Sequence, residues 1–216
     1  MDDVVYLIDV DNTLVDNDAV IEDLRHHLVE NFGQDSNRRY WEIFEQLRNE
    51  LGYADYLGAL QRYRVEFPRD PNVLELSIFL LHYPFASRLY PGALESVAAL
   101  RRRGRVVILS DGDVVFQPRK VERSGLWAAV DGHVLIYIHK EQMLDDVERR
   151  YPATRYVMVD DKIRILAAMK TTWGPRLTTV FVRQGHYALD AQLIREYPPA
   201  DLAVESIGDL SSVAVP

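Results

Sequence analysis

A parallel α/β sheet with helices on both faces, interrupted once by a helical insert, is the fold class this sequence predicts, and three observations predict it. Short apolar runs rich in β-branched residues recur at 4–9 (VVYLID), 105–110 (RVVILS), 133–137 (HVLIY), 155–160 (RYVMVD) and 178–182 (TTVFV). Each run is apolar at successive positions rather than alternating, the pattern of a strand buried on both faces. Helix-length segments separate the runs, as the right-handed crossovers of a parallel sheet require.

The third observation is uneven spacing. The last four runs start 22 to 28 residues apart, whereas Arg105 follows Val4 by 101 residues. The intervening text is helical: 19–33 ends at Gly33, 38–52 ends at Gly52, and 53–67 and 72–83 follow. Glycine at a helix end and proline just beyond it, as at Pro68 and Pro84, are stop signals. The domain organisation expected is therefore a core of 1–15 and 89–216 and a four-helix cap of 16–88. The stretch 90–104 (YPGALESVAALRRRG) returns the chain to the core, and Asp18 is expected to cap the first insert helix.

Composition narrows the function classes. With 216 residues and 48% hydrophobic content the chain can fill a sizeable core. A formal net charge of −8 is opposite to the basic footprint that nucleic acid rewards, so no nucleic-acid partner is expected. There is no cysteine, which removes disulfides, thiolate zinc sites and cysteine nucleophiles. No apolar run reaches 18 residues, so no membrane partner and a cytoplasmic location are expected. Monomer and dimer remain open.

Ligands of an open parallel sheet bind beyond the carboxyl ends of its strands. The first strand ends at Asp9 with Asp11 two residues on, the second at Ser110, the fourth at Asp160 and Asp161, and Lys140 follows the third. Each residue has a role in moving a phosphoryl group. A carboxylate at Asp9 can attack phosphorus and form an aspartyl phosphate. Asp11, on the same side of an extended chain, can protonate the leaving alcohol and then activate water. Asp160 and Asp161, with Asp9 and a backbone carbonyl near Asp11, offer the oxygen ligands that Mg²⁺ prefers, Asp161 being the favoured direct ligand. Ser110 can donate to a phosphoryl oxygen and Lys140 can neutralise charge.

In order and spacing these residues resemble the four motifs of the haloacid dehalogenase superfamily. They are Asp9-Val10-Asp11-Asn12-Thr13-Leu14, Ser110 closing VVILS, Lys140, and VMVDD with Asp160 and Asp161. The resemblance spans essentially the whole chain. It implies a Rossmann-like core with strand order 5-4-1-2-3, an α-helical C1-type cap closing over the substrate, and a Mg²⁺-dependent aspartyl-phosphate mechanism acting on a small phosphorylated metabolite. Asn12 stands where glycine is commonest, and Asp111-Gly112 replaces a more usual asparagine or hydrophobic residue, which adds Asp111 to Ser110 and Lys140 as a substrate contact.

The same residues bear on rival chemistries. Within the superfamily the carbon–halogen dehalogenases need neither the second acid nor a metal, against the presence of Asp11 and the paired acids. Phosphonatases use a cap lysine, and 16–88 contains none. A phosphosugar mutase shares the core and survives as an alternative. From other classes, a receiver module is shorter and orders its acids differently, and an inactive phospho-binding scaffold would have little reason to keep every motif. The bland readings give His139 a local polar contact and His186 a loop-to-helix role. They make Tyr53, Tyr56, Leu57, Leu60 and Tyr63 cap packing, and Arg38, Arg39, Arg62 and Arg64 a solvated face.

Overall fold

The computed structural model describes residues 4–213. In chain order its elements are β1 (Val4–Ile8), α1 (Asn17–Leu51), α2 (Tyr56–Glu66), α3 (Val73–His82), α4 (Ala93–Arg101), β2 (Arg105–Asp111), α5 (Phe116–Arg123), α6 (Leu126–Ala129), β3 (Val134–Tyr137), α7 (Leu144–Arg150), β4 (Arg155–Asp160), α8 (Ile163–Trp173), β5 (Leu177–Val182), α9 (Gly185–Leu189), α10 (Ala191–Arg195) and β6 (Leu202–Val204). The strands form one sheet in the order β3-β2-β1-β4-β5-β6, with every neighbouring pair parallel. The five expected strands occupy the expected order. β6 is an addition at the edge: three residues soon after Pro198 and Pro199 are too short to carry a periodic signal.

Alternation along the strands divides the core. Val4, Tyr6 and Ile8 of β1, with Val106, Ile108, Val157 and Val159, join one apolar layer. Val5 and Leu7, with Val107, Leu109, Tyr156 and Met158, join the layer on the opposite face. Full burial of each such aliphatic contributes about 2 kcal/mol. The first layer continues into the insert through rings, since Phe116 of α5 lies 5.1 Å from Tyr56 and 5.6 Å from Phe85. This shared packing seats the insert above the carboxyl ends of β1 and β2.

The insert differs in detail from four separate helices. α1 runs from Asn17 to Leu51 and breaks within itself at Gly33, whose φ of 81° and ψ of 170° leave helical geometry without a linker. The cap of α1 is Asp16, which accepts from Ala19 N at 2.9 Å, and not Asp18. Asp18 is drawn instead to Asn12 and His186, because both offer donors on the core side of the helix start. The chain leaves the core and returns at adjacent points: Asp16 N donates to Arg88 O at 2.8 Å, Tyr90 N to Leu14 O at 2.9 Å, and Val15 bridges Leu89. Among the described residues no helix is long and apolar enough to cross a membrane.

Candidate active site

At the carboxyl edge of the three central strands, β2, β1 and β4, the chain turns polar. Ile8 pairs with Ile108 and Val159, so the next residues, Asp9 and Asp160, lie side by side with Ser110 just beyond β2's partner position. The turn after Asp9 is closed by Asn12, which sits at φ 60° in the left-handed region that asparagine tolerates. Its Oδ1 accepts from Asn17 N (3.0 Å) and Asp18 N (3.2 Å). Here an amide side chain does work that glycine, the commoner residue at this place, cannot. Gly185 meets the same turn so closely that a Cβ there would come within 2.4 Å of Asn12 Cβ.

The expected residues meet around one buried ammonium. Lys140 Nζ lies 2.5 Å from Asp9 Oδ1 and 2.7 Å from Asp160 Oδ2, and its backbone N donates to Asp111 Oδ1 at 2.7 Å. Ser110 Oγ stands 3.5 Å from Asp9 Oδ1, the limit of a hydrogen bond, and accepts from Gln117 Nε2 at 2.9 Å. Asp161 N donates to Thr13 Oγ1 at 3.1 Å. Asp9, Ser110, Lys140, Asp160 and Asp161 are all buried, while Asp11 is partly open to solvent.

This arrangement holds more negative charge than its lysines balance. Oxygens of Asp9, Asp160 and Asp161 lie within 4.8 Å of one another. Among the described residues Asp9 Oδ2 and both Asp161 oxygens are buried without a hydrogen-bond partner, and Asp160 Oδ2 lies against the Lys140 ammonium. Burial pushes the Asp9 carboxyl up to about 7, with Lys140 pulling it back and Asp160 pushing it further. Burial and then Asp160 likewise raise Asp161. Burial disfavours the Lys140 ammonium, but Asp160, Asp9 and Asp111 outweigh it and hold the lysine charged. Three buried oxygen ligands with unsatisfied lone pairs and excess negative charge fit a hard divalent cation such as Mg²⁺.

A cleft of about 660 Å³ opens between this edge and the insert. Asp11, Asp111 and Lys162 form its core wall, and Arg25, Trp41 and Phe44 part of its insert wall. Arg25 lies over the Trp41 ring at 4.3 Å.

The sequence model of haloacid dehalogenase-like hydrolases matches residues 5–171. The chain belongs to that family. A crystal structure of a haloacid dehalogenase-like hydrolase from Burkholderia xenovorans LB400 is 65% identical, with a TM-score of 0.94 and 100% of both chains covered. Two others share the fold at low identity. L-2-haloacid dehalogenase from Xanthobacter autotrophicus is 20% identical (TM-score 0.64), and the magnesium-bound HAD-hydrolase YfnB from Bacillus subtilis is 15% identical (TM-score 0.64), each with 98% of both chains covered. No curated protein matches the chain.

Several further residues lie around this haloacid dehalogenase-like site or on the insert. Lys120 of α5 is fully buried and bonds Asp11 Oδ1 at 2.5 Å and Asn17 Oδ1 at 2.9 Å. Gln117 is one turn earlier on the same face. In sequence Lys120 stands in the charged run 119–123 (RKVER), which carries no local sign of burial. His139 borders the cleft, and His186 Nδ1 contacts Asp18 Oδ1 at 2.7 Å. Tyr56, Leu60 and Tyr63 are buried in the insert. Arg38, Arg39 and Arg62 pair on its surface with Asp35, with Glu42 and Glu66, and with Glu50.

Proposed function

We propose that this hydrolase cleaves small phosphate monoesters with Mg²⁺, through an aspartyl phosphate on Asp9. The observation that carries the reading is the buried group of Asp9, Asp160 and Asp161, several of whose oxygens have no hydrogen-bond partner among the described residues and whose three carboxylates exceed the two ammonium groups, of Lys140 and Lys162, that act on them. Asp9, Asp160 and Asp161, with the backbone carbonyl of Asp11, would hold the ion. Mg²⁺ there supplies charge compensation for the carboxylates and for phosphoryl oxygens.

An Asp9 oxygen forms a bond to phosphorus as the bond from phosphorus to the ester oxygen breaks, and Asp11 gives its proton to the departing alkoxide. Water then loses a proton to Asp11, attacks phosphorus and releases phosphate and the Asp9 carboxylate. Ser110, steadied by Gln117, donates to a phosphoryl oxygen, and Lys140 offsets charge on Asp9 and on the phosphoryl group. Asp111 fixes Lys140 through its backbone N and faces the cleft, where it would contact the leaving group. The substrate body lies in the cleft against the insert, and the product is a small alcohol.

The haloacid dehalogenases among the structural neighbours are too distant in sequence to carry their substrate over. A panel of phosphorylated metabolites and 2-haloacids, assayed for phosphate and for halide with and without Mg²⁺, decides between the chemistries. Phosphate release that needs Mg²⁺ supports the reading; halide release without phosphate release overturns it. Transfer of label between two positions of a sugar phosphate, without free phosphate, would select a mutase on the same core.

A further inference from the structure

We infer that Lys120 is a positioning residue for Asp11, fixing which of its two oxygens handles the proton. The inference rests on the phosphomonoesterase reading and concerns a residue that reading does not use. Lys120 has no exposed surface, and a buried ammonium must be paired to be tolerated. Its partners are few: Asp11 Oδ1 at 2.5 Å, Asn17 Oδ1 at 2.9 Å, and the faces of Phe116 and Phe85 at 5.4 and 6.0 Å. Among the described residues Asp11 is therefore the one carboxylate it bonds, while Asp113 lies within reach of its charge.

Geometry then assigns the two Asp11 oxygens different tasks. Oδ1 accepts from Lys120 whether Asp11 is ionised or protonated, because a carbonyl oxygen accepts as a carboxylate oxygen does. Among the described residues no protein group bonds Oδ2, and Asp11 lines the cleft. The proton that Asp11 carries thus sits on Oδ2, the oxygen left for the substrate. Asn17 extends the arrangement to the insert. As the first residue of α1 it joins the Lys120 ammonium to the segment by which the chain leaves the core, so the orientation of Asp11 is set jointly by α5 and by the start of the insert.

The test separates proton delivery from folding. The ratio kcat/KM reports steps up to release of the alcohol and is blind to later hydrolysis of the aspartyl phosphate. An alkyl phosphate needs its leaving oxygen protonated; p-nitrophenyl phosphate, whose phenolate leaves unaided, does not. Lys120→Met keeps the length of the side chain beside the two phenylalanines and removes the charge. The expected result is a fall of about 10²-fold in kcat/KM for the alkyl substrate, at the low end of what a general acid provides, with little change for the aryl one. Adding Lys120→Met to Asp11→Asn is expected to cost nothing further in kcat/KM.

Equal losses on both substrates, or additive losses with Asp11→Asn, overturn the assignment, since a lysine that only supports folding lowers both substrates together. If Lys120→Met does not fold, Asn17→Ala serves: it removes the second anchor of the ammonium and should shift the alkyl-to-aryl ratio in the same direction, an unchanged ratio counting against the inference. Wild-type protein inactive on both substrates would instead indict the phosphomonoesterase reading.

Discussion

Two acid–lysine pairs stand a few residues apart in this molecule, and they are built on opposite principles. Around Lys140 one ammonium bonds Asp9 and Asp160, Asp161 adjoins with the Lys162 ammonium acting on all three, and among the described residues several carboxylate oxygens have no hydrogen-bond partner. Around Lys120 one ammonium bonds one carboxylate, Asp11, and an amide completes its bonding, with Asp113 acting on it only through its charge. The first pair is unbalanced and the second is closed. A charge deficit of the first kind is what a cation and a phosphoryl group can fill, whereas a closed pair holds a side chain in place. Removing one acid should therefore have opposite structural consequences in the two places.

The largest effect is expected at the unbalanced pair. Asp9→Asn should lower turnover of a phosphate ester about 10⁴-fold or more, the scale of a lost nucleophile. Without added metal its melting temperature should match or exceed that of wild type, because one of three crowded carboxylates is neutralised. Parallel activity and thermal-melt measurements check both halves, and a large drop in melting temperature would break the contrast.

At the closed pair, Asp11→Asn should lose activity about 10²- to 10⁴-fold. It should also lose about 3 kcal/mol of stability, since it strands the Lys120 ammonium in the interior. Denaturant titration reads the second number. Stability near that of wild type would mean that Lys120 finds another partner.

Acidity gives a finer test. The Asp9 carboxyl lies at about 7 in the fold against an ordinary 3.8, and Asp161 is shifted the same way. A raised acid favours the folded state while it is protonated, so stability is fully present below the ordinary value and is lost as pH rises through about 7. Metal-free protein should melt at lower temperature at pH 8 than at pH 5. Added Mg²⁺ should raise the melting temperature more at pH 8, where protons do not compete for the oxygens. Differential scanning calorimetry with EDTA or Mg²⁺ at both pH values tests this. The smallest effect is expected far from either pair: Arg62→Ala, which breaks an exposed contact with Glu50, should leave the melting temperature within the scatter of repeats.

The same contrast explains what could be read from the sequence. Asp9, Ser110, Asp160 and Asp161 were legible because each stands where an apolar run stops, a position that topology alone sends to one edge. Lys140 was legible by its place in the order of motifs. Lys120 was not, because burial of a charge on a short helix depends on a carboxylate more than a hundred positions away, and no local pattern carries that information. β6 escaped for lack of length. The observed cap of α1, Asp16, differs from the expected Asp18 because two aspartates flank the helix start, and the donors of Asn12 and His186 turn Asp18 back into the core.

The bridge between Val15 and Leu89 has a consequence for chain architecture. The two ends of the insert are paired neighbours, so a short turn joining them would close the sheet without stretching a strand, and closure of a long loop costs only slightly more than closure of a short one. The helical segment between them is thus topologically a cassette joined at two adjacent backbone positions, and the cost of exchanging it falls on the rings around Phe116 and on the bonds of Asn17 and Asp18 to the core rather than on the sheet.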